Sequence, residues 1–436
     1  MAPALPDDKR FSVSMTRDRT PFDEAWYLRT YPDAAAAVSR GDFPTAWDHY
    51  QALGQPEDRE ICPFDEDWYR FRYPDVVVAV EEGRLPSARY HYMQYGYQER
   101  RHPLPSGRAK RVFSYGSFGT NNVGDEAILE GVKRLYPDCI QIYHHKRRVG
   151  EGVQPHQILN QPDFFRPDDY LILGGGGLLY SRETVVLMTN LAKAARAAGA
   201  TVDIGRLGCE AAHQDYAAEM VELFSLVRRA SVRSTISQAI MKEFTGTTIP
   251  VEFDFAFNLT AEARATPRRL FDIPTIGVVT ATSGDGDVRG LAAVLRTHTR
   301  PGRPAPIRFV HIPHSHSYFD ARNNDRVTGE QLWSYAGMHE AASEDLFELR
   351  DYDPEPLSVL RLYRQLDGVI TSRYHGLIFA NMAETPTLAL GGGLIKLRSF
   401  IEDHPSPDML VARTTGQLAE QMVPFIEEIM ARRNGT

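Results

Sequence analysis

The sequence predicts an α/β protein of two doubly wound lobes, preceded by a small all-α repeat domain. Three observations carry this. Beyond about residue 110, short apolar runs alternate with amphipathic helical stretches, the pattern of βαβ units on a parallel sheet. The alternation comes in two series separated by a polar stretch at 258–272. Before residue 103 the chain repeats itself without a gap, from Phe22-Asp-Glu-Ala-Trp-Tyr and again from Phe64-Asp-Glu-Asp-Trp-Tyr.

Each copy of the repeat carries a helix N-cap (Asp23, Asp65), a Tyr-Pro-Asp restart (Tyr31, Tyr73), a glycine stop (Gly41, Gly83) and a closing His-Tyr pair (His49, His91). The aromatics are expected to form one shared core. The repeated Asp, Glu and His fall at cap and helix-face positions, which points to docking of a protein partner rather than catalysis. The expected organisation is a flexible tail at 1–20, two tandem helical repeats at 21–103 and a Pro/Gly linker at 102–108. A first Rossmann-like lobe then covers 110–260, a second 270–410, and a C-terminal helix 411–436. Strands are expected at 112–115, 140–143, 170–173, 202–204 and 251–255, then at 275–280, 307–312, 369–371 and 387–390. The polar stretch between the series is the expected hinge.

A chain of 436 residues accommodates two or three domains. Its net charge of −8 argues against a nucleic-acid partner, while leaving room for a local cationic site. The three cysteines, Cys62, Cys139 and Cys209, are far apart and fit a reducing compartment. The first ten residues have no apolar run of a signal peptide, and no stretch approaches the ~18 apolar residues of a transmembrane helix. The expected location is the cytoplasm, with room for a peripheral position at the inner membrane face.

Five segments hold candidate chemistry. The first strand runs into Gly116-Ser-Phe-Gly-Thr-Asn-Asn-Val-Gly-Asp-Glu126 and a helix. A glycine-rich loop before a helix start can hold an anion, and Asn121, Asn122 and Asp125 would then line a cleft. A tight structural turn capped by Asn122 or Asp125 fits equally well. Four glycines in Leu173-Gly-Gly-Gly-Gly-Leu178, Gly175 and Gly176 among them, imply a close backbone approach, to a ligand or to the following helix. Arg233 ends another short strand and points either into the cleft or into a surface ion pair.

The sharpest pattern is Thr371-Ser-Arg-Tyr-His-Gly-Leu-Ile-Phe-Ala380, where an apolar strand meets a helix with Ser372 as the expected N-cap. Arg373 offers a fork for carboxylate or phosphate, and His375 is the natural proton donor near neutral pH. In His311-Ile-Pro-His-Ser-His316, Pro313 breaks helical spacing and no cysteine or acidic ligand pattern accompanies the histidines. No metal is therefore expected, and His314 and His316 are candidate cleft residues.

Together the Gly116 loop, the four glycines, Val232-Arg233 and the Ser372-Arg-x-His375 motif resemble, in order and spacing over about 110–405, the polysaccharide pyruvyl transferase family. The resemblance implies a GT-B-like fold and transfer of a pyruvyl group from phosphoenolpyruvate to a sugar, forming a ketal. Phosphoenolpyruvate is then a substrate, and no cofactor is needed. It also implies that Arg373 and His375 contact the donor, that Arg233 is the upstream donor-binding arginine, and that Lys396 is the family's late-loop lysine. The acceptor would be a sugar or lipid-linked saccharide in exopolysaccharide and cell-envelope biosynthesis. The repeats resemble N-terminal modules of bacterial surface-polysaccharide enzymes. The chain departs from the family pattern at Tyr374, at Gly205-Arg-Leu-Gly-Cys-Glu210 and at Ser234. Two other classes remain at this point: a GT-B-type glycosyltransferase using a nucleotide sugar, and a non-catalytic assembly protein.

Overall fold

The computed structural model describes residues 21–99, 101, 103, 111–137, 139–144, 153–161, 164–268, 271–281, 288–299, 307–317, 324–336, 346–391 and 394–435. The expected tail at 1–20 and most of the linker expected at 102–108 lie outside them. Contacts divide the chain into two compact units, Met1–Ala109 and Lys110–Thr436.

The N-terminal unit is helical and repeats in structure as in sequence. Helices α1 (Glu24–Thr30), α2 (Pro32–Ser39) and α3 (Ala46–His49) are followed by equivalent helices α4 (Glu66–Arg72), α5 (Pro74–Glu81) and α6 (Ala88–His91). Each third helix runs into a π-turn, Tyr50–Gly54 and Tyr92–Gly96. Asp23 caps α1 by accepting from the Trp26 amide at 2.9 Å, and Thr45 and Ser87 cap α3 and α6 in the same way. His49 and His91, expected on helix faces, are buried instead. Each imidazole Nδ1 meets a core tyrosine hydroxyl, Tyr27 at 3.2 Å and Tyr69 at 3.0 Å, so the repeated His supports the aromatic core.

The second unit contains two parallel sheets, the GT-B-like arrangement that the resemblance implies. The first lobe comprises β1 (Arg111–Tyr115), α7 (Val123–Leu135), β2 (Ile140–Tyr143), α8 (Pro155–Leu159), β3 (Tyr170–Gly176), α9 (Arg182–Ala197), β4 (Thr201–Leu207), α10 (Ala217–Ser225), β5 (Arg229–Val232) and α11 (Thr235–Thr245). After α12 (Thr260–Ala265), the second lobe comprises β6 (Thr275–Val279), α13 (Val288–Thr299), β7 (Arg308–His311), α14 (Asp325–Tyr335), β8 (Phe347–Leu349), α15 (Pro356–Tyr363), β9 (Gly368–Thr371), α16 (Tyr374–Ala383), β10 (Thr387–Leu390), α17 (Ile395–Asp403), β11 (Met409–Ala412) and α18 (Thr415–Gly435). The strand orders are β2-β1-β3-β4-β5 and β11-β10-β9-β6-β7-β8. The central strands are apolar and buried along their length, as parallel strands covered on both faces must be. Strand order reverses between β1 and β3 and between β6 and β9, so crevices open there at the carboxyl ends of the strands.

Helix α7 belongs to both lobes. Its Ile128, Leu129 and Val132 pack under the first sheet, whereas Val123 and Ala127 join the core of the second lobe. Backbone pairing reinforces this sharing: the Val123 amide donates to the His314 carbonyl at 2.9 Å and the His316 amide to the Asn121 carbonyl at 2.8 Å. At the start of α11, the Thr235 amide and hydroxyl donate to Asp403 at the end of α17, at 2.9 and 2.6 Å.

Some expected elements differ. The strand expected at 251–255 reduces to one bridge between Val251 and Val232. There Asp254 accepts from the Ala256 amide at 3.0 Å and turns the chain into a 3₁₀-helix, Phe255–Leu259. The hinge expected at 258–272 is instead helical through Ala265, with Phe255, Ala256, Leu259 and Ala263 buried and Asn258 donating to the Gly131 carbonyl at 2.8 Å. Strand β11 precedes the C-terminal helix, which begins at Thr415 rather than at 411. None of the described helices is long and apolar enough to cross a membrane.

Since Asp403 caps α11 from the opposite lobe, Asp403→Ala should lower the unfolding free energy by about 1 kcal/mol in chemical denaturation. Asp403→Asn, which keeps an acceptor, should lose less. An unchanged midpoint in the alanine variant would mean the lobes do not draw stability from this contact.

Candidate active site

The site forms where β9 and β6 part and α16 begins. Thr371 fixes the backbone there: its hydroxyl donates to the Val279 carbonyl at 3.0 Å and accepts from the Arg373 amide at 3.0 Å. Ser372, expected to cap α16, instead accepts from the Ala281 amide at 3.0 Å, clamping β9 to the end of β6. Arg373 takes the N-cap position with extended φ and ψ and no side-chain cap. The first N–H groups of α16 therefore have no side-chain cap and present the positive end of the helix dipole.

A cavity of about 190 Å³ opens at this junction, lined among others by Asn122, His314, Arg373, His375 and Lys396. The Arg373 guanidinium is mostly buried and pairs through one terminal nitrogen with Asp325, which is itself fully buried. Asp325 also accepts from the His314 and Ser315 amides at 2.9 and 3.1 Å. Burial raises the Asp325 pKa, and Arg373 and those amides oppose the rise. Arg373 Nε is buried with no hydrogen-bond partner, as are His375 Nε2 and His314 Nδ1. Each is a buried polar atom left without a hydrogen-bond partner, which is costly, and His375 Nε2 faces Asp254. Lys396 stays solvent-accessible at the mouth of the cavity but is enclosed by protein on most sides; that desolvation, followed by the Arg233 charge, lowers its pKa.

Behind the cavity lies a buried charge layer. Asp254, wholly out of water, sets Oδ2 at 3.8 Å from His375 Nε2 and 3.4 Å from Arg233. The first separation is too long for a hydrogen bond but close enough for ion pairing when the imidazole is charged. Burial alone would raise the Asp254 pKa, yet the His375 contact and the Arg233 charge bring it down to about 2. The His375 ring lies against the first turn of α7 at Gly124, where any Cβ would come within 2.2 Å of Nδ1. Arg233 donates to both Glu210 oxygens at 3.2 and 2.9 Å, and its guanidinium carbon sits 4.0 Å from the centre of the Tyr374 ring.

The structure thus brings Arg373, His375, Lys396, His314 and Asn122 to one cavity, and places the other expected residues around it. Arg233 does not line the cavity: two carboxylates and the Tyr374 ring enclose it completely. Gly175 and Gly176 do not line it either. They hold left-handed φ values of 75° and 78°, which account for glycine at both positions, and at Gly175 a Cβ would also strike Ile128 of α7 at 2.2 Å. Asn122 both caps α7, accepting from Gly124 at 3.1 Å, and lines the cavity. Asn121 and His316 bind each other across the lobes, Asn121 Nδ2 donating to the His316 carbonyl at 3.2 Å. Asp125 lies in the first turn of α7, where its hydroxyl partner Thr120 is 3.4 Å away. Sequence reasoning missed Asp254, Asp325 and Glu210. The signal for Asp254 was a carboxylate inside an apolar run, Val251-Glu-Phe-Asp-Phe-Ala256, a position a charge occupies only when paired.

A family model described as polysaccharide pyruvyl transferase matches residues 122–392, from the cap of α7 through the carboxyl end of β10. The chain belongs to the polysaccharide pyruvyl transferase family. No curated protein sequence matches it. Solved structures similar to this family member are distant in sequence. They include a putative UDP-N-acetylglucosamine 2-epimerase from Listeria monocytogenes, 12% identical over 73% of this chain and 88% of that one, with a TM-score of 0.49. Another is the UDP-GlcNAc 2-epimerase of Neisseria meningitidis bound to UDP-GlcNAc, 10% identical over 73% and 91%, with a TM-score of 0.47. A third, an Anabaena protein in complex with UDP and glucose, is 11% identical over 74% and 91%, with a TM-score of 0.46.

Two histidines of this pyruvyl transferase family member make its stability depend on pH. Burial, then the Arg373 charge, lowers the His311 pKa to about 4 and that of His314 well below its ordinary value. A histidine with a depressed folded pKa contributes fully above its unfolded value near 6.5, and the contribution fades as pH falls toward the folded value. Chemical denaturation should therefore show stability falling between pH 7.5 and pH 5, with His311 contributing a loss of about 2 kcal/mol and His314 a loss in the same direction. His311→Gln should flatten part of that slope; an equal slope in the variant would exclude His311 as a source.

Proposed function

We propose that the chain transfers the pyruvyl group of phosphoenolpyruvate to two hydroxyls of a sugar in a surface polysaccharide or its precursor, forming a ketal and releasing phosphate. The observation that carries this reading is the cavity itself: an arginine, a lysine and a histidine meet at a helix start that no side chain caps. Phosphoenolpyruvate bears a phosphate and a carboxylate, and Arg373, Lys396 and the α16 amides supply the charge and donors that two such groups need.

In the proposed reaction His375 gives a proton to the methylene carbon, leaving an oxocarbenium-like centre at C2. One sugar hydroxyl adds to that centre and loses its proton. The C2–phosphate bond breaks, with phosphate departing into the Arg373 and Lys396 field. A second hydroxyl then adds to C2 and loses its proton, closing the ketal. Of the two hydroxyl protons, one restores His375 and the other leaves with phosphate. Asp254 is the counter-charge of a protonated His375, and Arg233 holds Asp254 in place from behind. Arg233 therefore serves the donor at second hand, through Asp254 and through the Tyr374 wall. Asn122 and His314 complete the cavity lining, and the Asn121–His316 pairing keeps the two lobes in register around it.

Incubation with phosphoenolpyruvate and a panel of sugar glycosides should release phosphate and form a ketal. Turnover of nucleotide sugars with none of phosphoenolpyruvate would sink the reading. Arg373→Ala should weaken phosphoenolpyruvate binding by roughly 10- to 100-fold, the size of one or two charged hydrogen bonds. Asp254→Asn should lower kcat at least tenfold while donor affinity changes little, with Asp254→Glu restoring part of the rate. Equal losses in both parameters, with no rescue by glutamate, would reduce Asp254 to a structural role.

A further inference from the structure

We propose that a second cavity, at the carboxyl ends of β7 and β8, is the subsite that binds saccharide units of the acceptor; the assignment rests on the pyruvyl-transfer reading above. This cavity encloses about 720 Å³, against about 190 Å³ for the anion cavity. The larger volume falls within the ~300–1,000 Å³ typical of small-molecule sites. The size difference allots the ligands: a compact anion fits the smaller cavity, and one or more sugar rings need the larger.

The position agrees. Ligands of parallel sheets bind outside the carboxyl ends of the strands, and both cavities lie on that edge of the second sheet. Ile312 and Pro313 line the large cavity, and the next residue, His314, lines the small one. One loop therefore forms the border between them. His314 Nε2 meets the Tyr363 hydroxyl at 2.9 Å, and Tyr363 ends α15, the helix whose Ser358 and Leu362 line the large cavity. On the far side of the loop, the His316 and Tyr352 rings lie 6.0 Å apart, so the loop is held from both directions.

The lining has the chemistry of sugar recognition. Tyr352 offers an aromatic ring for the C–H face of a pyranose, and Arg350, Asp353, Arg361 and Gln365 offer donors and acceptors for hydroxyls. The charges are mixed in sign. Glu348 is already paired with Arg308 and with Arg350, the latter at 2.9 Å. A second anion would meet carboxylates there, whereas a neutral polyhydroxylated ligand meets both kinds of partner. Arg361 is exposed at the rim and has no ion-pair partner among the described residues, which leaves its guanidinium available to ligand hydroxyls.

Saturation-transfer difference NMR on the full chain, without phosphoenolpyruvate, tests this directly. The probes are lactose, cellobiose and N,N′-diacetylchitobiose, with UDP as a comparison. At least one disaccharide should receive saturation. Tyr352→Ala should reduce it at least fivefold and Arg361→Ala measurably, with both variants melting as folded proteins. No transfer to any disaccharide, transfer to UDP alone, or equal transfer in Tyr352→Ala, in Arg361→Ala and in the wild type would each overturn the assignment. Because the saccharide samples contain no phosphoenolpyruvate, a failure of donor binding counts against the donor reading alone.

Discussion

Asp254 carries its charge fully out of water, at the point where the second lobe's catalytic candidate meets the first lobe's buried arginine. A carboxylate in that position is stable only while its neighbours are charged and correctly placed, because removing one partner leaves a desolvated ion. Arg233 reaches it from the end of β5 and His375 from the start of α16. Glu210 balances Arg233, and Tyr374 covers the guanidinium face. The position of His375 is in this way tied to a charge network that only the assembled lobes can form. The carboxylate that pairs with a protonated His375 is part of the protein, in place before any anionic ligand enters.

The same constraint explains why so much of the structure joins the lobes rather than separating them. Helix α7 contributes to both cores, its glycine at 124 admits the His375 ring, and the Asn121–Val123 backbone pairs with 314–316. The segment expected to be a hinge is instead helical, with Leu259 and Ala263 buried and Asn258 tied to α7 through the Gly131 carbonyl. Motions that opened the lobes widely would expose Asp254 and break its pairings. A rigid cavity of this kind suits electrostatic catalysis, in which charges gain most from being fixed before the reaction.

The fold was largely legible because parallel strands covered on both faces announce themselves as short apolar runs, and those of β1, β3, β6, β9 and β10 stand out between polar helices. The Ser372-Arg-x-His375 junction was legible for the same local reason: strand, turn and helix start follow each other directly. The charge network was not. Asp325 and Arg373 are brought together only by the second sheet, and Asp254 looked like part of a strand because its neighbours are apolar. Arg233 was placed correctly at a strand end, but whether an arginine there meets a ligand or is sealed by carboxylates depends on Glu210 and Tyr374, both from other elements. Tyr374 does two things at once, covering the Arg233 guanidinium and lining the small cavity beside Arg373 and His375.

The central claim is that the charges gathered around Asp254 serve one anion held between Arg373, Lys396 and His375. A crystal structure with phosphoenolpyruvate, or a non-reactive analogue, tests it most directly. The account predicts phosphate density within hydrogen-bonding distance of Arg373 Nε and Lys396, with the methylene carbon facing His375 and Arg233 still enclosed. Donor density anywhere else, or a bound donor in direct contact with an unsealed Arg233, would contradict it.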